Sequence, residues 1–208
     1  MRRTKEDAAL TREKIFRAGI DVFASKGYAA GTLGDVAREA GVSRGAIYWH
    51  FRNKEAFFQE TVARLNRTYD DLIGKAMMTL KTGVEPVEAI ELAVAEIIRR
   101  YARDREFRTL QELAMMTVLA RGDAPGHWER LLNRKDTGEI SVLIDAMKQR
   151  KLHDAWSPQV ALRAIEAVII GVFVLIRDQE LDPSDEEIRQ LAAFVRRGVA
   201  PVGEGARL

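Results

Sequence analysis

Residues 41–51 read Gly-Val-Ser-Arg-Gly-Ala-Ile-Tyr-Trp-His-Phe, and their chemistry suits contact with a nucleic-acid duplex. Arg44 carries a guanidinium, which can donate two hydrogen bonds to the major-groove edge of a guanine. Tyr48, Trp49 and His50 form a polar aromatic patch that fits a phosphate backbone better than a core, and Lys54 follows shortly after. Phosphate contacts fix register, and base contacts specify sequence. Both need a slim helix held at a set angle. Ser43 is placed to cap the helix that starts at Arg44. Gly45 and Ala46 keep that helix narrow enough for close approach to a groove. Gly41 supplies a permissive turn before it. Upstream, Thr32 is the better N-cap for the short amphipathic run Leu33 to Ala40, and its hydroxyl with the first amides of that run offers another phosphate contact. Ala40, Val42 and Ile47 would pack the two helices together. Two short helices joined by a tight glycine turn form a helix-turn-helix, whose second helix can enter the major groove. The bare pattern also fits a structural helical hairpin with exposed charges.

The surrounding elements all read as helix. Ile15, Ala18, Val22 and Phe23 give residues 11–26 one apolar stripe, with Gly27 as the stop. A long helix should begin at Asn53 or Lys54 and run to Gly83, with Phe58, Val62, Leu65, Tyr69, Leu72, Ala76 and Leu80 on one face. Pro86 suits a first turn, and Val87, Ile90, Val94, Ile97 and Tyr101 continue the pattern. Phe107, Leu110, Leu113 and Thr117 suggest the next helix. Residues 121–127 read as a loop, and residues 128–151 as a helix with Leu132, Ile140, Leu143, Ile144 and Met147 inward. Ser157-Pro158 opens a helix that is apolar nearly all round from Ala164 to Ile176, a profile that demands burial on two sides. Asp182-Pro183-Ser184 breaks the chain, and Ile188, Leu191 and Val195 mark a last helix. The fold class is therefore all-α, with about nine helices and no strand alternation.

Composition narrows the function. Net charge over 208 residues is only +2. Residues 1–54 hold eleven Lys/Arg against six Asp/Glu, while the rest hold 22 against 25. A basic end on a mildly acidic remainder fits a chain that presents one end to a polyanion. Arg2, Arg3 and Lys5 would extend that end as a flexible arm. Cysteine is absent, which excludes disulfides and thiolate chemistry and fits a reducing compartment. The charged N-terminus argues against secretion, so a cytoplasmic location is expected. The thirteen-residue apolar run 164–176 contains Glu166 and is too short for a bilayer. His50, His127 and His153 have no metal-ligand spacing, and no nucleophile motif or phosphate-cradling loop appears. No metal, cofactor or catalytic residue is expected. A helical module whose basic end contacts protein or membrane is the rival reading.

The order Thr32-Leu-Gly-Asp-Val-Ala, Ala40-Gly-Val-Ser-Arg-Gly, Ile47-Tyr-Trp-His-Phe51 and Asn53-Lys-Glu resembles the N-terminal DNA-binding domain of the TetR family of transcriptional regulators. The stretch Arg44-Gly-Ala-Ile-Tyr-Trp-His-Phe looks most like the branch that regulates multidrug efflux pumps. The resemblance covers about residues 10–58. It departs at Gly31, where the family often has Ser or Thr. It implies a helix-turn-helix domain over residues 1–54 and an effector-binding, dimerising domain over 55–208. The DNA-contacting set would be Thr32, Ser43, Arg44, Gly45, Tyr48, Trp49, His50 and Lys54. The partners would be a near-palindromic DNA operator, a small hydrophobic or cationic effector, and a second copy bound through the last two helices. Glu166 would favour a cationic or hydrogen-bond-donating effector, or else pair with an arginine of its own core or simply face water. Leu65, Asn66, Tyr69, Val94, Gln111, Met115, Ile140, Ile169 and Phe173 are the further pocket candidates, though apolar residues at helical spacing are also what plain core looks like.

Overall fold

A computed structural model of the chain describes residues 5–120 and 156–200. All regular structure among them is helical: α1 (Lys5–Ala30), α2 (Leu33–Glu39), α3 (Arg44–His50), α4 (Lys54–Lys81), α5 (Pro86–Arg103), α6 (Arg105–Ala120), α7 (Pro158–Arg177) and α8 (Asp185–Val199). The helix expected over 128–151, with Ile140, lies outside the described residues, as do Arg2, Arg3, His127 and His153. The described residues fall into two compact units, one of 5–66 and 106–120, the other of 67–105 and 156–200.

In the first unit, α1 is longer than its apolar stripe predicts. Its first turns are polar and carry Glu6 and Asp7, which favour a helix N-terminus without marking a buried face. Gly27, at φ 76°, breaks the helical path as expected, but one more turn follows to Ala30. Ile15, Phe16, Val22 and Phe23 are buried. The rings of Phe16 and Phe23, with that of Phe51, meet Phe57 of α4, at centroid distances of 5.1, 5.2 and 5.1 Å. This places Phe57, rather than only the expected Phe58, at the centre of the core. The unit extends along α4 because Phe57, Phe58, Thr61 and Leu65 are all buried there. On α6, Phe107, Leu110, Leu113 and Met115 are buried.

In the second unit, α5 packs mainly on α8 and also on α7. Tyr101 and Phe173 are both fully buried, with rings 3.9 Å apart and nearly parallel. Ile188, Ala192 and Val195 bury one face of α8. Arg196 pairs with Glu91 at 2.9 Å, and Arg99 and Arg103 reach Asp185 at 3.3 and 3.1 Å. Such exposed pairs are worth ~0–1 kcal/mol each, so apolar packing does most of the holding. Ser157 and Ser184 cap α7 and α8, each accepting from a backbone amide at 3.2 Å.

The full α7 helix has 20 residues and, by length and composition alone, could cross a membrane, unlike the shorter run that the sequence isolates. Ala161, Ile165, Ile169, Val172, Phe173 and Ile176 on its inner face are nevertheless spent on packing. Its other face, with Val160, Ala167, Gly171 and Leu175, is exposed in the single chain. Burial on two sides is therefore met on one side only.

Candidate nucleic-acid interface

Two capped turns build the site. Thr32 and Asp35 satisfy each other at the start of α2. The Asp35 amide donates to Thr32 Oγ1 at 3.1 Å, and the Thr32 amide donates to Asp35 Oδ2 at 3.1 Å. The Thr32 hydroxyl also donates to that carboxylate at 2.7 Å, and Lys26 Nζ donates to its other oxygen at 2.9 Å. The Thr32 hydroxyl and the Lys26 ammonium hold Asp35 well below the usual carboxylate range. The Thr32 hydroxyl is thus engaged in the cap. Gly41 then turns the chain at φ 60°, a left-handed conformation that side chains with a Cβ rarely adopt. Ser43 Oγ accepts from the Ala46 amide at 3.2 Å and opens α3. Ala40 and Ile47 are buried between the helices, while Val42 is half-buried.

Ile47 is the one buried residue of α3. Arg44, Gly45, Tyr48 and Trp49 are exposed, Trp49 at 72% and Tyr48 at 55%. Two large aromatic rings left in water beside an arginine carry a cost unless something covers them, and their polar tips suit a hydrated, charged surface. The edge of Trp49 meets the half-buried His50 ring, with centroids 4.5 Å apart. The Arg44 guanidinium lies across the first turn of α2. A Cβ built on Gly34 would sit 3.9 Å from its Nη2 and 3.5 Å from Thr32 Oγ1. Arg44 and Thr32 thus meet at one corner beside Gly34.

Lys54 is partly committed within the chain. Its Nζ donates to the Ala29 carbonyl at 3.2 Å and sits 4.4 Å over the Tyr28 ring. Burial lowers its pKa from the ordinary lysine value. An ammonium has three donors, so this closes the end of α1 and still leaves capacity for a phosphate. At Gly31 a Cβ would lie 2.7 Å from Phe23 Cδ1, which explains why this chain has neither Ser nor Thr there. Arg12 is a residue that the sequence did not reveal. It donates to the His50 carbonyl at 2.6 Å and to Glu60 at 3.1 Å, across 38 and 48 residues of chain, where no local spacing signals a contact.

The effector candidates divide between the units. In the first, Leu65 and Met115 are buried, and Asn66 and Gln111 are half-buried. In the second, Val94, Ile169 and Phe173 are buried, and Tyr69 and Glu166 are half-buried. Glu166 pairs with Arg163 at 3.1 Å. Burial raises its pKa above the ordinary value despite that arginine. Among the described residues, no group of three or more His, Asp or Glu could hold a metal ion.

Residues 15–61 match the model for bacterial regulatory proteins of the tetR family. The regulator TtgR of Pseudomonas putida is 35% identical over 113 residues, a match spanning 54% of this chain and about half (53%) of that relative. The repressor BepR of Brucella suis is 29% identical over 178 residues, 82% of each chain. The crystal structure of NalD from Pseudomonas aeruginosa, described as the secondary repressor of the MexAB-OprM multidrug efflux pump, superposes with a TM-score of 0.73 at 25% identity, covering 93% of this chain and 98% of that one. The matched segment contains both capped turns and every exposed residue of α3, so the likeness to the tetR family of bacterial regulatory proteins rests on the helix-turn-helix itself.

Proposed function

We propose that the chain is a dimeric, ligand-responsive DNA-binding repressor acting in the cytoplasm, with efflux or other stress-response genes under its control. The observation that carries this is the exposed row Arg44, Tyr48 and Trp49 on a capped, seven-residue α3 set by the Gly41 turn. Arg44 reads a base in the major groove. Tyr48, Trp49, His50, Ser43 and the free donors of Lys54 hold phosphates, and Gly45 allows the close approach, while Thr32, whose amide and hydroxyl both donate to Asp35, serves by holding the start of α2. Residues 1–54 supply this contact, and residues 55–208 supply dimerisation and effector binding.

The exposed face of α7, with Phe194 of α8 standing 66% exposed, supports a dimer through the last two helices. Small residues at Ala164, Ala167 and Gly171 let a second copy's helix come close. Paired modules then meet a near-palindromic operator, with half-sites one helical turn or ~34–36 Å apart. Glu166, held partly buried in a largely apolar unit, favours an apolar effector with a cationic or hydrogen-bond-donating group. The effector acts by population shift, stabilising a spacing of the two recognition helices that does not fit the operator. The efflux assignment leans on the relatives, of which NalD and the acrEF/envCD operon repressor of Escherichia coli are named for such genes.

Sequencing of duplexes that the purified chain retains from a random pool tests the proposal. It should enrich one near-palindromic motif. Retention without any enriched sequence would favour the rival, a basic module for protein or membrane surfaces.

A further inference from the structure

The last carbonyls of an α-helix have no partner within it, and a seven-residue helix has little else to fix its direction. Arg12 of α1 meets this need at α3. Its Nη1 donates to the carbonyl of His50, the last residue of α3, at 2.6 Å, and its guanidinium lies 4.4 Å over the Phe51 ring. A cation at that end also complements the helix dipole. Its other terminal nitrogen pairs with Glu60 of α4 at 3.1 Å. Glu60 accepts in turn from Arg64 at 3.1 Å. Arg64 closes on both oxygens of Glu13 of α1, at 3.2 and 2.8 Å, and stacks 3.7 Å over Phe16. The charges alternate along the whole chain of contacts. Burial pushes the Glu60 carboxyl upward, but Arg64 and Arg12 together outweigh it and keep the group below its ordinary value. A guanidinium fork can hold two acceptors at a fixed angle, which an ammonium cannot.

We propose that Arg12 and Glu60 are positioning residues for base reading: one guanidinium links the end of the recognition helix to α4 and sets the angle at which Arg44 meets DNA. This rests on the reading of α3 as a DNA-recognition helix. It also gives α4 a route to α3, because movement of Glu60 relative to Arg12 would release the His50 carbonyl.

Two measurements on the full chain test this, using Arg12→Lys, Glu60→Gln and the double variant. The first is amide hydrogen exchange, which needs no DNA. Amides of Ile47 to Phe51 should exchange about tenfold faster in each single variant, with those of α2 unchanged. The second is binding to duplexes selected by the unaltered chain. Each single variant should lose about tenfold in specific affinity, keep its affinity for unrelated DNA, and keep its salt slope. The double variant should be no weaker than the weaker single one, because both changes cut the same link. A salt slope reduced by about one in a further Arg12→Gln variant, which removes the charge that Lys keeps, would make Arg12 a phosphate contact and overturn the proposal. Additive losses, or exchange and affinity both unchanged, would also overturn it. If the unaltered chain selects no DNA, the recognition reading itself fails, and exchange alone then decides whether the link holds α3.

Discussion

On α3, Tyr48 and Trp49 stand out of the surface beside Arg44; on α7, Val160, Ala167, Gly171 and Leu175 stand out around Arg163. Both are apolar surfaces left uncovered in the single chain, yet their chemistry differs. Aromatic rings with polar tips next to a guanidinium suit a wet, negatively charged partner. Aliphatic and small residues in a helical stripe suit dry contact with another helix. The half-buried carboxylates differ in the same sense. In the first unit, hydrogen bonds and charge from Arg64 outweigh burial and hold Glu13 below its ordinary value. In the second, burial outweighs Arg163 and holds Glu166 above it. Charge is balanced where the helix-turn-helix must be held still, and under-balanced where a ligand is proposed to enter.

The two faces of α7 give the sharpest break of this comparison. Phe173→Ala should cost ~3–5 kcal/mol in denaturant unfolding, because it empties the fully buried stack on Tyr101. Two residues away, Gly171→Arg meets no atom within 4 Å of its Cβ in the single chain. It should leave the unfolding midpoint of the isolated chain nearly unchanged and halve the mass in solution. A Gly171→Arg variant that stays dimeric would remove the outer face from the interface.

Gly31→Thr comes next. Its Cβ would press on Phe23, and thermal unfolding should show ~1–3 kcal/mol of destabilisation. An unaltered melt would mean that Phe23 moves aside freely. Arg44→Ala should leave the melt alone and weaken specific binding by ~1–3 kcal/mol, with relaxed preference at one operator position. Equal weakening on all sequences would make Arg44 a phosphate contact.

The smallest effect concerns pH. Glu13 and Glu60 have lowered folded pKa values, so their contribution is present above the ordinary glutamate value of 4.5 and is lost as pH falls through the folded values. Glu166 has a raised value, so its protonated form favours folding below 4.5, and that gain is lost as pH rises. Glu166→Gln should therefore stabilise the chain at neutral pH and not at acid pH, by a fraction of the Phe173 effect. A loss of stability at neutral pH would show that the pair with Arg163 matters more than its burial.

Local features were legible in the sequence. Caps at Thr32, Ser43 and Ser157 depend on residues three apart, and the Gly41 turn depends on one dihedral, whereas Ser184 read only as part of a break and proves to cap α8. The long α4 was legible because, apart from a tolerated Gly74, no breaker interrupts it before Gly83. Features set by distant packing were not. Phe57 is the aromatic hub only because Phe16, Phe23 and Phe51 converge on it. Arg12 is an ordinary helix-surface arginine until folding brings His50 and Glu60 to it. The expectation that α7 be buried on two sides is met on one side only, because composition tells how apolar a helix is and not how many neighbours its own chain supplies.

The central claim is that α3 reads sequence. Competition titrations at fixed salt, with a selected duplex against its scrambled counterpart, test it most directly. Binding to the selected duplex should be at least about a thousandfold tighter. Equal affinity for the two duplexes would contradict it.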